Sequence, residues 1–261
     1  MTTSGPRLHT AGGRTRPSWP SRRLDPHDSL GLRLTVAAAA AFLVLVPFSL
    51  LAVLVLGSWE PLWELDRSVT AALHDYALAH PGWVEFMTAW SFVFAPWSLR
   101  LGALALVVWL LRRSSRRLAA WVVTTMVTGG LLGAGLKLLV GRDRPELLDP
   151  VARAAGYSFP SGHALNAALA AGVMLLILLP AARGRRWTRW ALGVAAGALV
   201  VVTGVSRVAI GVHFGSDVLG GWLLGAAVVA ATAAGFATWR EQVTGGTPGG
   251  GASPVPPDDC L

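Results

Sequence analysis

The chain has 261 residues, 53% of them hydrophobic and only 14% charged, and the apolar residues fall in long blocks instead of alternating with polar ones. That is the composition of a membrane protein. The net charge of +8 does not mark a nucleic-acid partner, whose footprint would be a basic surface stripe interleaved with exposed aromatics; here the charges sit between the apolar blocks. Cys260 is the only cysteine, which excludes an internal disulfide and a cysteine-based metal site.

Residues 1–32 are rich in Ser, Pro, Gly and Arg without an apolar period, and 241–261 are rich in Gly and Pro. Both are expected to be disordered tails, leaving 33–240 as one membrane domain. A helix needs roughly 20 apolar residues to cross the hydrocarbon core. Leu34 to Trp59, Leu118 to Leu136, Ala164 to Ala182, Trp190 to Ser206 and Val218 to Trp239 carry no charge and qualify as spans. The first is too long for the apolar core of a cleaved signal peptide and is taken as retained. Phe86 to Leu111 is apolar apart from Arg100 and is interrupted by Pro96. Its first part, to Phe94, reads as an interfacial or re-entrant helix, and about Trp97 to Leu111 reads as a short second span with Arg100 snorkelling to the headgroups. The expected fold is therefore all-α, a polytopic bundle of about six transmembrane helices.

Orientation follows from the arginines in the short loops. Arg22, Arg23 and Arg33 precede the first span, Arg112, Arg113, Arg116 and Arg117 follow the second, and Arg183, Arg185, Arg186 and Arg189 follow the fourth. With six spans these segments share one side, expected to be cytoplasmic, as are both termini. The acidic segment from Glu60 to Glu85 and the surrounding Trp59, Trp63, Trp83, Trp90 and Trp97 suit the opposite face and its aromatic belt.

Three polar clusters remain, and each falls on that opposite face: Lys137, Arg142 and Arg144; Ser161 and His163; Arg207, His213 and Asp217. Positive charge is disfavoured there unless something uses it, and a phosphate would. Arg offers a planar fork for two phosphate oxygens and Lys a compact point charge; Lys137 is the single lysine of the chain. Pro160-Ser161-Gly162-His163 opens a span, and a helix N-terminus is a ready anion site. Ser161 can cap that helix or donate its hydroxyl, and Gly162 lets an anion approach the backbone. His163 would lie in the first turn beside it. His213 and Asp217 are four residues apart, so on a helix the carboxylate could hold one ring nitrogen and free the other to attack, which makes His213 the candidate nucleophile. Arg142 reads as a solvated loop charge. Asp143, Glu146 and Asp149 lack histidines at metal-site spacing, so no metal site is expected.

The spacing as a whole resembles a known family. Lys137, Arg144 and Pro145 fit Lys-x6-Arg-Pro, Pro160 to His163 fit Pro-Ser-Gly-His, and Ser206, Arg207, His213 and Asp217 fit Ser-Arg-x5-His-x3-Asp. These are the signature motifs of the type 2 phosphatidic acid phosphatase superfamily, which includes lipid phosphate phosphatases. The resemblance implies that Lys137, Arg144 and Arg207 bind phosphate oxygens, with Ser161 and the Gly162 N–H adding hydrogen bonds. It implies that His213 forms a phosphohistidine, that Asp217 holds its tautomer, and that His163 protonates the leaving group.

The expected activity is metal-independent hydrolysis of a terminal phosphate monoester or pyrophosphate of a membrane lipid at the extracytoplasmic face of the cell membrane, with no cofactor. Phosphatidate, phosphatidylglycerol phosphate, a polyprenyl pyrophosphate such as undecaprenyl pyrophosphate, and diacylglycerol pyrophosphate all fit. A lipid phosphotransferase using the same site, or a non-catalytic lipid-binding member of the fold, are the alternatives; every signature position is present, which weighs against the second.

Overall fold

The computed structural model describes residues 26–147 and 150–245. Among them all regular structure is helical: α1 (Pro26–Leu56), α2 (Glu60–Ala79), α3 (Pro81–Val93), α4 (Pro96–Arg112), α5 (Arg116–Val140), α6 (Gly162–Ala181), α7 (Arg186–Ala209) and α8 (Gly215–Gly245). The first and last helices reach into the stretches expected as tails; the remainder of those tails, 1–25 and 246–261, lies outside the described residues, as does Asp149.

The apolar blocks make helices that are hydrophobic on every side. Leu131, Leu138 and Leu139 of α5 are 69%, 75% and 72% exposed, which a water-soluble bundle would not tolerate but a bilayer does, because lipid tails are as apolar as leucine. Five stretches among the described residues are long and apolar enough to cross a membrane, and the α1–α2 pair raises the number to six. The chain is thus a multi-pass helical membrane protein.

The break between α1 and α2 bends the chain by 90°. Beyond it α2 is the least apolar of the helices, and the face it buries is mostly polar: Asp66, Thr70, His74 and Ala77 recur at helical spacing on one side. That side rests on α7 and α8.

The expected re-entrant segment is not observed as a separate feature. α3 and α4 follow one another as a single apolar stretch, Pro81–Arg112, of 32 residues. Pro96 stands in the first turn of α4, where its missing N–H leaves no bond unmade, so it interrupts the helix without reversing the chain. Arg100 is exposed, and its Nε donates to Asn166 Oδ1 of α6 at 3.1 Å.

The core gathers where α6 and α8 meet, with α1, α5 and α7 packed on them. Phe48, Leu51, Trp121, Val122, Phe159, Leu165, Leu169, Leu224 and Val228 fill it. Gly221 sets the closeness of the central pair: a Cβ there would stand 2.7 Å from the Ser161 carbonyl oxygen and 2.9 Å from Ala164 Cβ. The start of α6 can therefore sit directly on the first turns of α8.

Candidate active site

Helix direction brings the three clusters together. The C-terminus of α5, the N-terminus of α6, the C-terminus of α7 and the N-terminus of α8 share one end of the bundle, while Arg112 to Arg117 and Arg183 to Arg189 stand at the other. α5 ends in Gly141, a left-handed residue with φ of 61° whose N–H returns to the Lys137 carbonyl; this turns the chain into the loop that precedes α6. The loop is then pinned twice. Ser158 donates its N–H to Arg142 O at 2.8 Å, and Ser161 donates its N–H to Asp217 O at 2.9 Å.

The cations line this junction. Lys137 Nζ donates to the carbonyls of Tyr157 (2.6 Å) and Ser158 (3.3 Å). Arg144 donates through Nε to Gly156 O at 2.8 Å and through Nη1 to Val212 O at 2.7 Å. Arg207 is buried, donates through Nη1 to Ser91 Oγ of α3, and its Nε has no partner. Lys137 is within electrostatic reach of Arg144, Arg207 and Asp217, and His163 of Arg207, His213 and Arg144. Three cations this close repel one another in the absence of an anion; a tetrahedral dianion would relieve them.

Ser161 occupies the N-cap position of α6 without making the side-chain cap bond, and its buried Oγ has no partner. Of the two roles the sequence left open, the hydroxyl is thus available as a donor. At Gly162 a Cβ would meet nothing within 4 Å, so the backbone there faces open space of the kind an anion at a helix N-terminus requires.

His213 lies between α7 and α8 with 2% of its surface exposed. Its Nδ1 is 3.3 Å from Asp217 Oδ2, and Arg144 Nη1 stands 3.2 Å from its Nε2. Because the guanidinium is always a donor, Nε2 carries the lone pair and Nδ1 the proton. Burial pushes the ring's pKa down to about 4, reinforced by Arg144 and Arg207 and opposed by the Asp217 hydrogen bond and charge. The imidazole is therefore neutral at neutral pH, with its nucleophilic nitrogen turned toward the cations. Asp217 is fixed in turn: Oδ2 also accepts from Phe214 N at 2.9 Å, and Oδ1 accepts from Arg142 Nη1 at 2.8 Å.

Arg142 corrects the sequence reading. It is not a solvated loop charge; it is 5% exposed, and it joins Asp217 to Asp66 of α2, whose Oδ2 it meets at 2.8 Å. Its guanidinium packs against the rings of Trp63 and Phe214, 4.5 and 4.3 Å from their centroids, where the two rings meet edge-on at 5.4 Å. Ser216 completes the group, accepting from Arg142 Nη1 and donating to Asp66. Asp66, Ser91 and Ser216 are thus site residues that motif reasoning passed over. The stripe Asp66, Thr70, His74 carried a usable signal, since polar residues at i, i+4 and i+8 mark one face of a helix, and the fold buries that face.

Residues 118–241, which carry all three clusters, match the model of the PAP2 superfamily. The chain is 39% identical over 98 residues to phosphatidylglycerophosphatase B of Bacillus subtilis (38% of this chain, 48% of that one). It is 36% identical over 123 residues to an undecaprenyl-diphosphatase of Sulfolobus acidocaldarius (44% and 54%). The matched segments span about half the length of these curated relatives. The crystal structure of a transmembrane PAP2-type phosphatidylglycerolphosphate phosphatase from Bacillus subtilis superposes with a TM-score of 0.67 at 26% identity, over 76% of this chain and 96% of that one.

Proposed function

We propose that the protein is a lipid phosphate phosphatase that removes the terminal phosphate of a phosphomonoester or pyrophosphate lipid through a phosphohistidine on His213. The observation that carries this reading is the arrangement of His213, with Nδ1 on Asp217 and Nε2 facing Arg144, beside the unpartnered Ser161 hydroxyl. His213 Nε2 forms the N–P bond as the P–O bond to the leaving group breaks, and His163, which holds its proton once the phosphate dianion is bound beside it, delivers that proton to the departing oxygen. Water then attacks phosphorus, returns a proton to His163, and the N–P bond opens to release phosphate. Lys137, Arg144, Arg207, Ser161 and the Gly162 N–H hold the equatorial oxygens. This clamp supplies the charge stabilisation that the reaction demands, so no metal is required.

A lipid substrate is supported by an apolar cavity of about 710 Å³ walled by α3 to α7. Its lining includes Trp90, the neighbour in sequence of the Ser91 that Arg207 binds, so one wall of this place for a hydrocarbon chain adjoins the phosphate site. The names of the relatives favour phosphatidylglycerol phosphate and polyprenyl pyrophosphate among the possible lipids. The separation of the site from the arginine-rich loops favours an extracytoplasmic position. The test is His213→Ala: phosphate release from these lipids stops, no acid-labile phosphoprotein is trapped, and the protein remains folded. Near-normal turnover would overturn the reading.

A further inference from the structure

We infer that Asp66, on the surface helix α2, is a positioning residue of the reaction: through Arg142 it leaves Asp217 enough negative charge to hold and stabilise the His213 ring. This rests on the proposed role of His213 as nucleophile.

Charge within a closed space governs this network. Asp66, Arg142 and Asp217 are 3%, 5% and 0% exposed, so water cannot screen them and the local sum of charges matters. One guanidinium stands between two carboxylates, at 2.8 Å from each, and the group carries one surplus negative charge. Asp217 is the member that meets His213, so the surplus is available to the ring as it turns cationic on phosphorylation. Without Asp66, Arg142 would cancel Asp217, and the pair would present His213 with no net charge.

Position is controlled as well as charge. Arg142 can aim one nitrogen at Asp217 because Asp66 takes the other and the Trp63 and Phe214 rings pack against the guanidinium. Asp66 Oδ1 also accepts from Ser216 N at 3.0 Å, which ties α2 to the first turn of α8 next to Asp217 itself. Asp66 reaches neither the clamp cations nor His213, so its effect is expected on the chemical step and not on phosphate binding.

The experiment measures kcat, KM and vanadate affinity for two variants of the full-length protein. Asp66→Asn keeps the size and an oxygen for the Ser216 amide but removes the charge. Arg142→Lys keeps the buried positive charge but replaces the fork by a point donor that cannot bridge two carboxylates. Each is expected to lower kcat by about tenfold or more, the scale on which outer partners of a functional ligand act, with KM and vanadate affinity held within about twofold. An unchanged kcat in either folded variant overturns the inference. So does a parallel loss of kcat and vanadate affinity, which would mark general collapse of the site, or failure of both variants to fold, which would assign the network to folding alone. Turnover retained by His213→Ala would instead remove the nucleophile; an inactive His213→Ala with an unimpaired Asp66→Asn would remove only Asp66.

Discussion

The two ends of the helix bundle use arginine in opposite ways. At one end Arg112, Arg113, Arg116, Arg117, Arg183, Arg185, Arg186 and Arg189 are all exposed; at the other Arg142 and Arg207 are buried and Arg144 is half-buried. An exposed guanidinium keeps its water and works by number, through its charge. A buried one must be given carbonyls, hydroxyls or carboxylates in fixed positions, and once they are in place it stops being a surface charge and becomes part of a site. Residue type alone does not separate the two, for Arg142 and Arg144 stand in a loop sequence no less charged than the arginine-rich turns.

Substitutions at the two ends sharpen this contrast. The largest expected effect is that of Arg207→Ala, which should lower phosphate release by about 10²–10³-fold by removing one charge-stabilising group. Next comes Gly221→Ala. Its methyl would press on the Ser161 carbonyl at 2.7 Å, pushing α8 from the start of α6. Displacements of a fraction of an ångström should cost about tenfold in kcat/KM, although no reacting group is touched.

The third test uses pH. His213 binds no proton in the folded protein until about pH 4, whereas its ordinary value is 6.5; the unfolded chain therefore takes up a proton first as pH falls. The stabilisation is complete above 6.5 and is lost progressively between 6.5 and about 4, with a slope of at most about 1.4 kcal/mol per pH unit. Thermal unfolding of the wild type and of His213→Gln should diverge across that window, and parallel curves would contradict a buried neutral ring. The smallest effect belongs to the other end: Arg186→Gln should leave activity unchanged and stability within about 0.5 kcal/mol. A large loss there would break the contrast between solvated and partnered arginines.

Much of the site was legible because its motifs are local. Lys137, Arg144, Ser161, Gly162, His163, Arg207, His213 and Asp217 all stand at the one end of the bundle to which the sequence assigned them. What escaped was every partner supplied from elsewhere. Ser91 was hidden in a segment read as interfacial, and Asp66 in an acidic stretch read as outer-face charge, because nothing near either residue in sequence announces Arg207 or Arg142 as its counterpart. The Asn166 partner of Arg100 escaped for the same reason, being 66 residues away.

By itself the sequence determined that the chain crosses a bilayer on helices and that the candidate site residues emerge at a common end of them, because span length and loop charge are properties of contiguous residues. Only the tertiary structure decided that α3 continues into α4, that α2 folds across the bundle end, and that Arg142 is shared between two carboxylates. A buried charge is settled by whichever group reaches it in space, and that group is chosen by packing, not by its place in the chain.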